Sequence, residues 1–165
     1  MGMMGKILGD AFFGMGQNAA FAATDIPRAE SDALMWLYNH TDGAAWTNNT
    51  NWGTDPIANN WFGVTVAGGH VTQLSLFNNG LDGDIGSWAV DALASLTLLY
   101  LYTTTVSGDI SGWTLPASLV NLYLSTTNVS GDIGGWTLPA SLATLYLHAT
   151  TVSGDISGWT LPASL

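Results

Sequence analysis

The sequence predicts a solenoid of stacked units, each built from one short β-strand and tight turns. A segment of 23 residues that begins at Leu96 returns almost unchanged at Leu119 and again at Leu142. A more diverged copy, two residues longer, begins at Val71. Self-similarity at a fixed period is the signature of a repeat architecture, in which a single unit cannot bury its apolar edge and stacked neighbours form a continuous core.

Each repeat shows the alternation of a strand. In the copy at Leu96, Leu99 and Leu101 fall on one side of the chain and Tyr100 falls on the other. A Gly-Asp-Ile segment, Trp113 and a Leu-Pro turn follow. No stretch within a repeat has the helical period over the roughly 10–12 residues that a helix needs. We therefore expect one strand per repeat, with the two leucines facing the core.

The composition excludes several classes of function. The chain has 165 residues, which is enough for a sizeable core. Lys6 and Arg28 are its only cations against 12 acidic residues, so that nucleic acids and anionic membrane surfaces are not expected partners. No apolar run reaches the roughly 18 residues that a transmembrane helix requires. Cysteine is absent, which excludes disulfides and thiolate metal sites.

The repeat resembles the leucine-rich repeat, in particular the plant-type pattern LxxLxLxxNxLxGxIP. Leu74, Leu76 and Asn79 of the first copy stand in register with that pattern, followed by Leu81, Gly83 and Ile85. The resemblance implies a right-handed solenoid with little helix, and near-identical repeats without cysteine are similar to those of bacterial and phage proteins. The family's asparagine bonds buried backbone groups of the next turn. Threonine hydroxyls are expected to do so in the later copies, at Thr104, Thr127 and Thr150.

The segment upstream resembles the N-terminal cap of plant-type repeats, which implies a helix and a short strand over the first repeat. Asp25 with Pro27 is a start signal for the helix, and Gly43 is expected to end it. Hydrophobic packing is expected to replace the family's cap cysteines. We expect three parts: an assembly anchor at 1–24, a cap at 25–70 and a solenoid of about four repeats at 71–165. The apolar face of the helix is expected to contain Leu34, Leu37 and Tyr38.

Outward side chains of the predicted strands form a candidate binding face, which the resemblance makes the concave one. Its aromatic, hydroxyl and amide groups suit a sugar or a protein partner, because tyrosine offers flat apolar area and a hydrogen-bonding tip. The alternative is that stacked tyrosines only stabilise the sheet through cross-strand pairs. The candidate binding residues are Tyr100, Tyr123, Tyr146, Phe77, Tyr102, His148 and Asn121.

A second column contains one carboxylate per repeat. Neighbouring carboxylates about 4.8 Å apart could share a calcium ion, which prefers oxygen ligands. The alternative is an aspartate that bonds its own turn or water. Because each repeat lacks a second fixed oxygen donor, we predict no metal or other cofactor. The candidates, if a metal does bind, are Asp84, Asp109, Asp132 and Asp155.

Two further observations concern buried residues and catalysis. One tryptophan per repeat is expected to form a buried stack. The three histidines are scattered, and neither a Ser-His-Asp order, an HExxH motif nor a phosphate-binding glycine loop occurs. We therefore expect no enzymatic activity. The tryptophans are Trp88, Trp113, Trp136 and Trp159.

The two ends of the sequence suggest association with other chains. A further repeat begins at Leu165, so we expect either a longer natural chain or a partner that covers this edge. Residues 1–24 are rich in Gly, Met, Ala and Phe, and Ala20-Phe21-Ala22 is compatible with a secretory cleavage site. The alternative is an anchor that is buried against other chains in a homo-oligomer. Its residues are Met4, Ile7, Leu8, Phe12 and Phe13.

Two hypotheses of function follow. In the first, the chain is a non-catalytic structural or host-recognition component, a fibre or decoration protein, of a large assembly such as a phage virion. Its partners are then copies of itself or other subunits. In the second, it is a secreted or cell-surface module that binds a glycan or a peptide on its concave face.

Overall fold

The computed structural model describes residues 22–165. The predicted anchor residues Met4, Ile7, Leu8, Phe12 and Phe13 lie outside the described residues. The anchor and the homo-oligomer therefore stay predictions.

One α-helix and eight short strands make up the regular structure of residues 22–165. Helix α1 covers Arg28–His40. It is not long and apolar enough to cross a membrane, and neither is any other helix in this part of the chain. The strands are β1 (Val64–Ala67), β2 (His70–Ser75), β3 (Leu98–Tyr100), β4 (Ser107–Asp109), β5 (Asn121–Tyr123), β6 (Asn128–Asp132), β7 (Thr144–Tyr146) and β8 (Thr151–Ser153).

The strands form two sheets along the solenoid. The first has the order β1-β2-β3-β5-β7, with β1 antiparallel to β2 and all other pairs parallel. Equivalent residues of successive repeats pair in register, so that Leu99 lies between Leu74 and Leu122. The short strand β1 before the first repeat confirms the strand predicted for the cap.

The second sheet, β4-β6-β8, is parallel and was not predicted. We expected one strand per repeat because only the leucine segment of each copy shows the alternation of a strand. The strand forms because stacking places this backbone beside the same segment of the next turn. Ile85, for example, donates its backbone N–H to the carbonyl oxygen of Ser107 at 2.8 Å.

The leucines of the repeats form the core as predicted. Leu74, Leu76 and Leu99 are fully buried, as are Leu101, Leu122 and Leu124. Leu145 and Leu147, in the last repeat, are partly buried and pack against the same cluster.

The tryptophans extend this core and link successive turns, which confirms that they are mainly internal. Trp88, Trp113 and Trp136 are buried, and Trp159 is half-buried. Trp113 donates its indole N–H to the carbonyl oxygen of Ile85, one repeat earlier, at 3.1 Å. The indoles of Trp136 and Trp159 bond the preceding turn in the same way. The tryptophans therefore link successive turns through hydrogen bonds as well as through packing.

Helix α1 covers the first repeat, but its start and end differ from the prediction. Asp25 does not cap α1; its carboxylate accepts the backbone N–H groups of Ala58 and Asn59, at the start of a short 3-10 turn. The left-handed residue after α1 is Asp42, with φ of 53°, rather than Gly43. Leu34 and Leu37 are fully buried and Tyr38 is half-buried, so the predicted apolar face is confirmed.

An aromatic cluster stabilises the cap, which contains no cysteine. The Tyr38 and Trp46 rings are 5.3 Å apart, and Trp52 lies 5.0 Å from both Trp46 and Trp61. The indole N–H of Trp46 donates to the carbonyl oxygen of Thr41 at 2.8 Å. Hydrophobic packing with internal hydrogen bonds thus stabilises the cap, as expected.

Hydroxyl groups link the repeats differently from the prediction. Asn79 bonds both backbone groups of Asn48 in the cap. Thr104, Thr127 and Thr150, by contrast, each bond a carbonyl three residues earlier in their own turn. A serine column that we did not predict makes the link between turns. Ser118, Ser141 and Ser164 each donate to carbonyl oxygens 22 or 24 residues earlier, one turn back along the solenoid.

Candidate recognition face

The outward side of the five-stranded sheet brings the predicted binding residues together in two rows. The inner row contains Ser75, Tyr100, Tyr123 and Tyr146, aligned by the parallel register of β2, β3, β5 and β7. The outer row contains Phe77, Tyr102, Ser125 and His148. Backbone bonds align it: Asn78 donates to Tyr102, Thr103 to Ser125 and Thr126 to His148, at 3.0–3.1 Å.

The chain turns sharply after each member of the outer row. Asn78, Thr103 and Thr126 have φ values of 50°, 57° and 56°, and Ala149 has 55°. Equivalent left-handed residues in every repeat carry the chain away from the sheet. The outer row therefore ends the outward side of the sheet along its whole length.

Six rings on this side form one unbroken series of contacts. Phe77 and Tyr102 stack with centroids 4.8 Å apart and an interplanar angle of 4°. Tyr102 contacts Tyr100 at 5.9 Å, and Tyr100 contacts Tyr123 edge to face at 4.4 Å. Tyr146 continues the series at 4.5 Å from Tyr123, and His148 lies 6.1 Å from Tyr146. We call the six rings the aromatic face.

Asn121 borders the aromatic face as predicted. It is half-buried on β5, paired with Leu98 on one side and Thr144 on the other. The structure thus places all seven predicted binding residues on one side of one sheet. Neither row contains an acid, a lysine or an arginine. Partial burial raises the pKa of the Tyr100 hydroxyl, and the neighbouring Tyr123 and Tyr102 add to this effect.

The four aspartates of the second column bond their own turns. The Oδ1 atom of Asp84 accepts the backbone N–H of Gly86 at 2.8 Å, two residues further on, and the other three make the same contact. This arrangement is the turn-bonded alternative. Within residues 22–165, no group of three or more His, Cys, Asp or Glu side chains is placed to hold a metal ion.

Two of these turns, those of Asp109 and Asp155, are expected to lose stability in acid. Hydrogen bonds from Ser111 lower the pKa of Asp109, and those from Ser157 lower the pKa of Asp155. A carboxylate with a lowered folded-state pKa stabilises the fold above its unfolded pKa, and this contribution is lost as pH falls through the folded value. We expect the melting temperature to decrease from about pH 4 downwards.

A variant that replaces both Asp109 and Asp155 by asparagine tests this expectation. Asparagine can make the same turn without titrating. Thermal melts of both proteins between about pH 5 and pH 2 should show a smaller decrease for the variant. Equal decreases would contradict the assignment of acid sensitivity to these turns.

The histidines are not brought together. The ring of His40 stacks on Trp36 at 3.8 Å, and His148 belongs to the aromatic face. His70 contacts Glu30, whose nearly buried carboxylate also accepts the backbone N–H of Val71 at 2.7 Å. Sequence reasoning missed Glu30; its position on the apolar side of α1 was the available signal.

Solved structures with similar folds agree with this architecture. The PEPR1–AtPEP1 crystal structure aligns with a TM-score of 0.54 and 25% identity over 84% of this chain. The BIR2 ectodomain from Arabidopsis thaliana aligns with a TM-score of 0.50 and 23% identity over 79% of this chain. The fold is that of a leucine-rich-repeat solenoid.

The two alignments cover different shares of the matched chains. This chain spans 19% of the matched chain in the PEPR1–AtPEP1 structure and 70% of the BIR2 chain. No protein-family model matches the sequence.

Proposed function

We propose that this chain is a non-catalytic recognition module that binds a protein partner through the aromatic face. The observation that carries the proposal is the unbroken series of six rings on a surface without formal charge. Aromatic residues are enriched at the energetic centres of protein interfaces, and charged residues are depleted there.

The exposure of the rings favours binding over a purely structural role. Phe77 and Tyr146 expose 45% and 47% of their surface, and the rings between them are half-buried. Leu74, Leu99 and Leu122 beneath the same sheet are fully buried. Cross-strand pairing stabilises a sheet without needing a continuous exposed patch. Such patches on a folded surface mark interaction sites.

The comparison with PEPR1–AtPEP1 supports a protein partner. In that structure PEPR1 is solved together with AtPEP1. We propose an extracellular or cell-surface location, in keeping with the BIR2 ectodomain that shares this fold. A glycan ligand and a role in a virion have no such support.

We also propose a role for each of the three parts of the chain. Residues 25–70 cap the solenoid and residues 71–165 carry the recognition rows. Residues 1–24 serve assembly or attachment.

Replacing Tyr123 by alanine tests the proposed function. Tyr123 contacts both Tyr100 and Tyr146, so it lies at the centre of the series. We expect the variant to bind peptides selected on the wild-type protein at least tenfold more weakly, as about 1.4 kcal/mol lost from an aromatic anchor implies. Isothermal titration calorimetry at a temperature where both proteins are folded measures the difference.

Two controls separate binding from stability. Tyr123→Phe keeps the ring and should retain most of the affinity. Asn128→Ala, an exposed change on β6 of the other sheet, should retain all of it. Unchanged affinity of Tyr123→Ala, together with a lower melting temperature, would show that the rings only stabilise the sheet.

A further inference from the structure

The charged side chains of the solenoid are all acidic. Residues 71–165 contain six aspartates and neither lysine nor arginine. Within residues 22–165 the single arginine, Arg28, lies in the cap and pairs with Asp32 at 2.7 Å. The net charge of the chain is -10 at pH 7. A surface with one sign of charge attracts a partner of the opposite sign and repels one of the same sign.

The second column of aspartates runs alongside the outer row of the aromatic face. Each aspartate follows a member of the outer row by seven residues, and all four are exposed. Seven residues span at most about 25 Å, so in every turn a carboxylate lies within that distance of the face. The Debye length is about 30 Å in 0.01 M salt and about 8 Å in 0.15 M salt. These carboxylates therefore attract a cation at the face most strongly at low salt.

The aromatic face itself offers groups that bind cations. Phenylalanine and tyrosine rings attract a cation through the negative charge of their faces. Arginine suits them better than lysine, because its guanidinium is planar, weakly hydrated and able to stack on a ring. Phe77 and Tyr146 are the most exposed aromatic residues of this surface apart from His148, and neither row contains a carboxylate that would pair with the cation instead.

Resting on the proposed function, we propose that the protein partner presents a basic segment to the aromatic face, with arginine side chains that stack on the exposed rings. The second column attracts this segment and increases its rate of association. A second copy of this chain carries the same negative charge and is repelled at this surface. An acidic segment is repelled for the same reason, and a neutral segment gains the ring contacts without the attraction.

The probes are random 12-residue peptides displayed on yeast and selected on the full-length wild-type chain. We expect the selected peptides to be rich in arginine and poor in aspartate and glutamate. In the tightest binder, replacing the arginines by glutamine should weaken binding at least about tenfold, and replacing them by lysine, which keeps the charge, about threefold. The affinity of the arginine form should decrease between about 0.01 M and 0.15 M salt.

Two variants of equal charge test the second column. The change of Asp109 and Asp155 to asparagine removes two carboxylates of the column and alters no ring. The change of Asp32 and Asp91 to asparagine removes the same charge from α1 and from the short 3-10 turn Val90–Ala92 that packs against α1. We expect the first variant to weaken the arginine peptide about threefold at low salt and the second to weaken it less. Equal losses would contradict the role of the column.

Several results would overturn the basic segment. These are selected peptides without basic residues, equal binding of the arginine and glutamine forms, or an affinity that does not decrease with salt. A neutral oligosaccharide such as cellohexaose, or a second copy of the chain in sedimentation, that occupies the face in place of the arginine peptide would overturn it as well.

Tyr123→Ala separates this failure from that of the proposed function, because it removes a ring and keeps every charge. If a selected peptide loses binding to Tyr123→Ala but not on the change of arginine to glutamine, the face is correct and the basic segment is wrong. If arginine peptides bind the wild type and Tyr123→Ala equally, charge alone holds them and the face itself is wrong.

Discussion

Replacing Trp136 by alanine is expected to lower the free energy of unfolding by about 4 kcal/mol, which is typical of a large aromatic residue removed from a core. Trp136 is 5% exposed and packs between successive turns. Its indole N–H also donates to the Ile110 carbonyl oxygen at 3.1 Å, so alanine removes one of the two hydrogen bonds of that acceptor and leaves it the backbone N–H of Trp113 at 3.0 Å. Urea denaturation followed by circular dichroism measures the change.

Two matched variants separate the packing contribution from the hydrogen bond. Trp136→Phe keeps most of the apolar volume and removes the donor, so a loss of about 1–2 kcal/mol is expected. Trp159→Ala affects the same position of the last repeat, where the side chain is only half-buried, and should cost less than Trp136→Ala. Equal losses at Trp136 and Trp159 would contradict the dependence on burial.

Replacing Gly131 by alanine is expected to cost about 3 kcal/mol, because this backbone conformation strongly disfavours a side chain. Gly131 has a φ of 107°. A Cβ atom there would also overlap Oδ1 of Asp109, which is held by its bond to the backbone N–H of Ser111 at 2.9 Å. The substitution therefore strains one turn and displaces the hydrogen bond of the turn before it.

Gly135 provides the control within the same repeat. It has no positive φ, and a Cβ atom at this position meets nothing within 4 Å. Gly135→Ala should leave the stability unchanged or raise it by up to about 1 kcal/mol. Urea denaturation of both variants measures their free energies of unfolding. A Gly131→Ala protein as stable as Gly135→Ala would refute the steric account.

The repeat period and the leucine spacing were sufficient to predict the solenoid, its core and the outward position of the tyrosines. All of these depend on side-chain burial, which the sequence pattern reports directly. The second sheet was not predictable in this way. Its Ser-Gly-Asp strands are held by backbone bonds between turns, and backbone groups leave no pattern in the sequence.

The prediction of the site had a similar limit. Aligning the repeats by their leucines was enough to predict that Phe77, Tyr102 and His148 lie in one row, since equivalent positions in stacked repeats lie side by side. The alignment of this outer row was not visible in the sequence, because it depends on a backbone register that continues beyond the ends of the strands. Likewise, the threonines occupy the position of the family's asparagine, but their hydroxyls bond carbonyl oxygens within their own turn, which the sequence pattern did not reveal.

The most direct test of the central claim, that the aromatic face binds a protein partner, is a solution NMR titration with a peptide selected on the wild-type chain. We predict that ring resonances of Phe77, Tyr100, Tyr102, Tyr123, Tyr146 and His148 shift on binding. The indole N–H resonances of Trp88, Trp113 and Trp136, which are buried and bonded within the solenoid, should stay in place. Shifts confined to the cap or to β4, β6 and β8, with the six rings unchanged, would contradict the account.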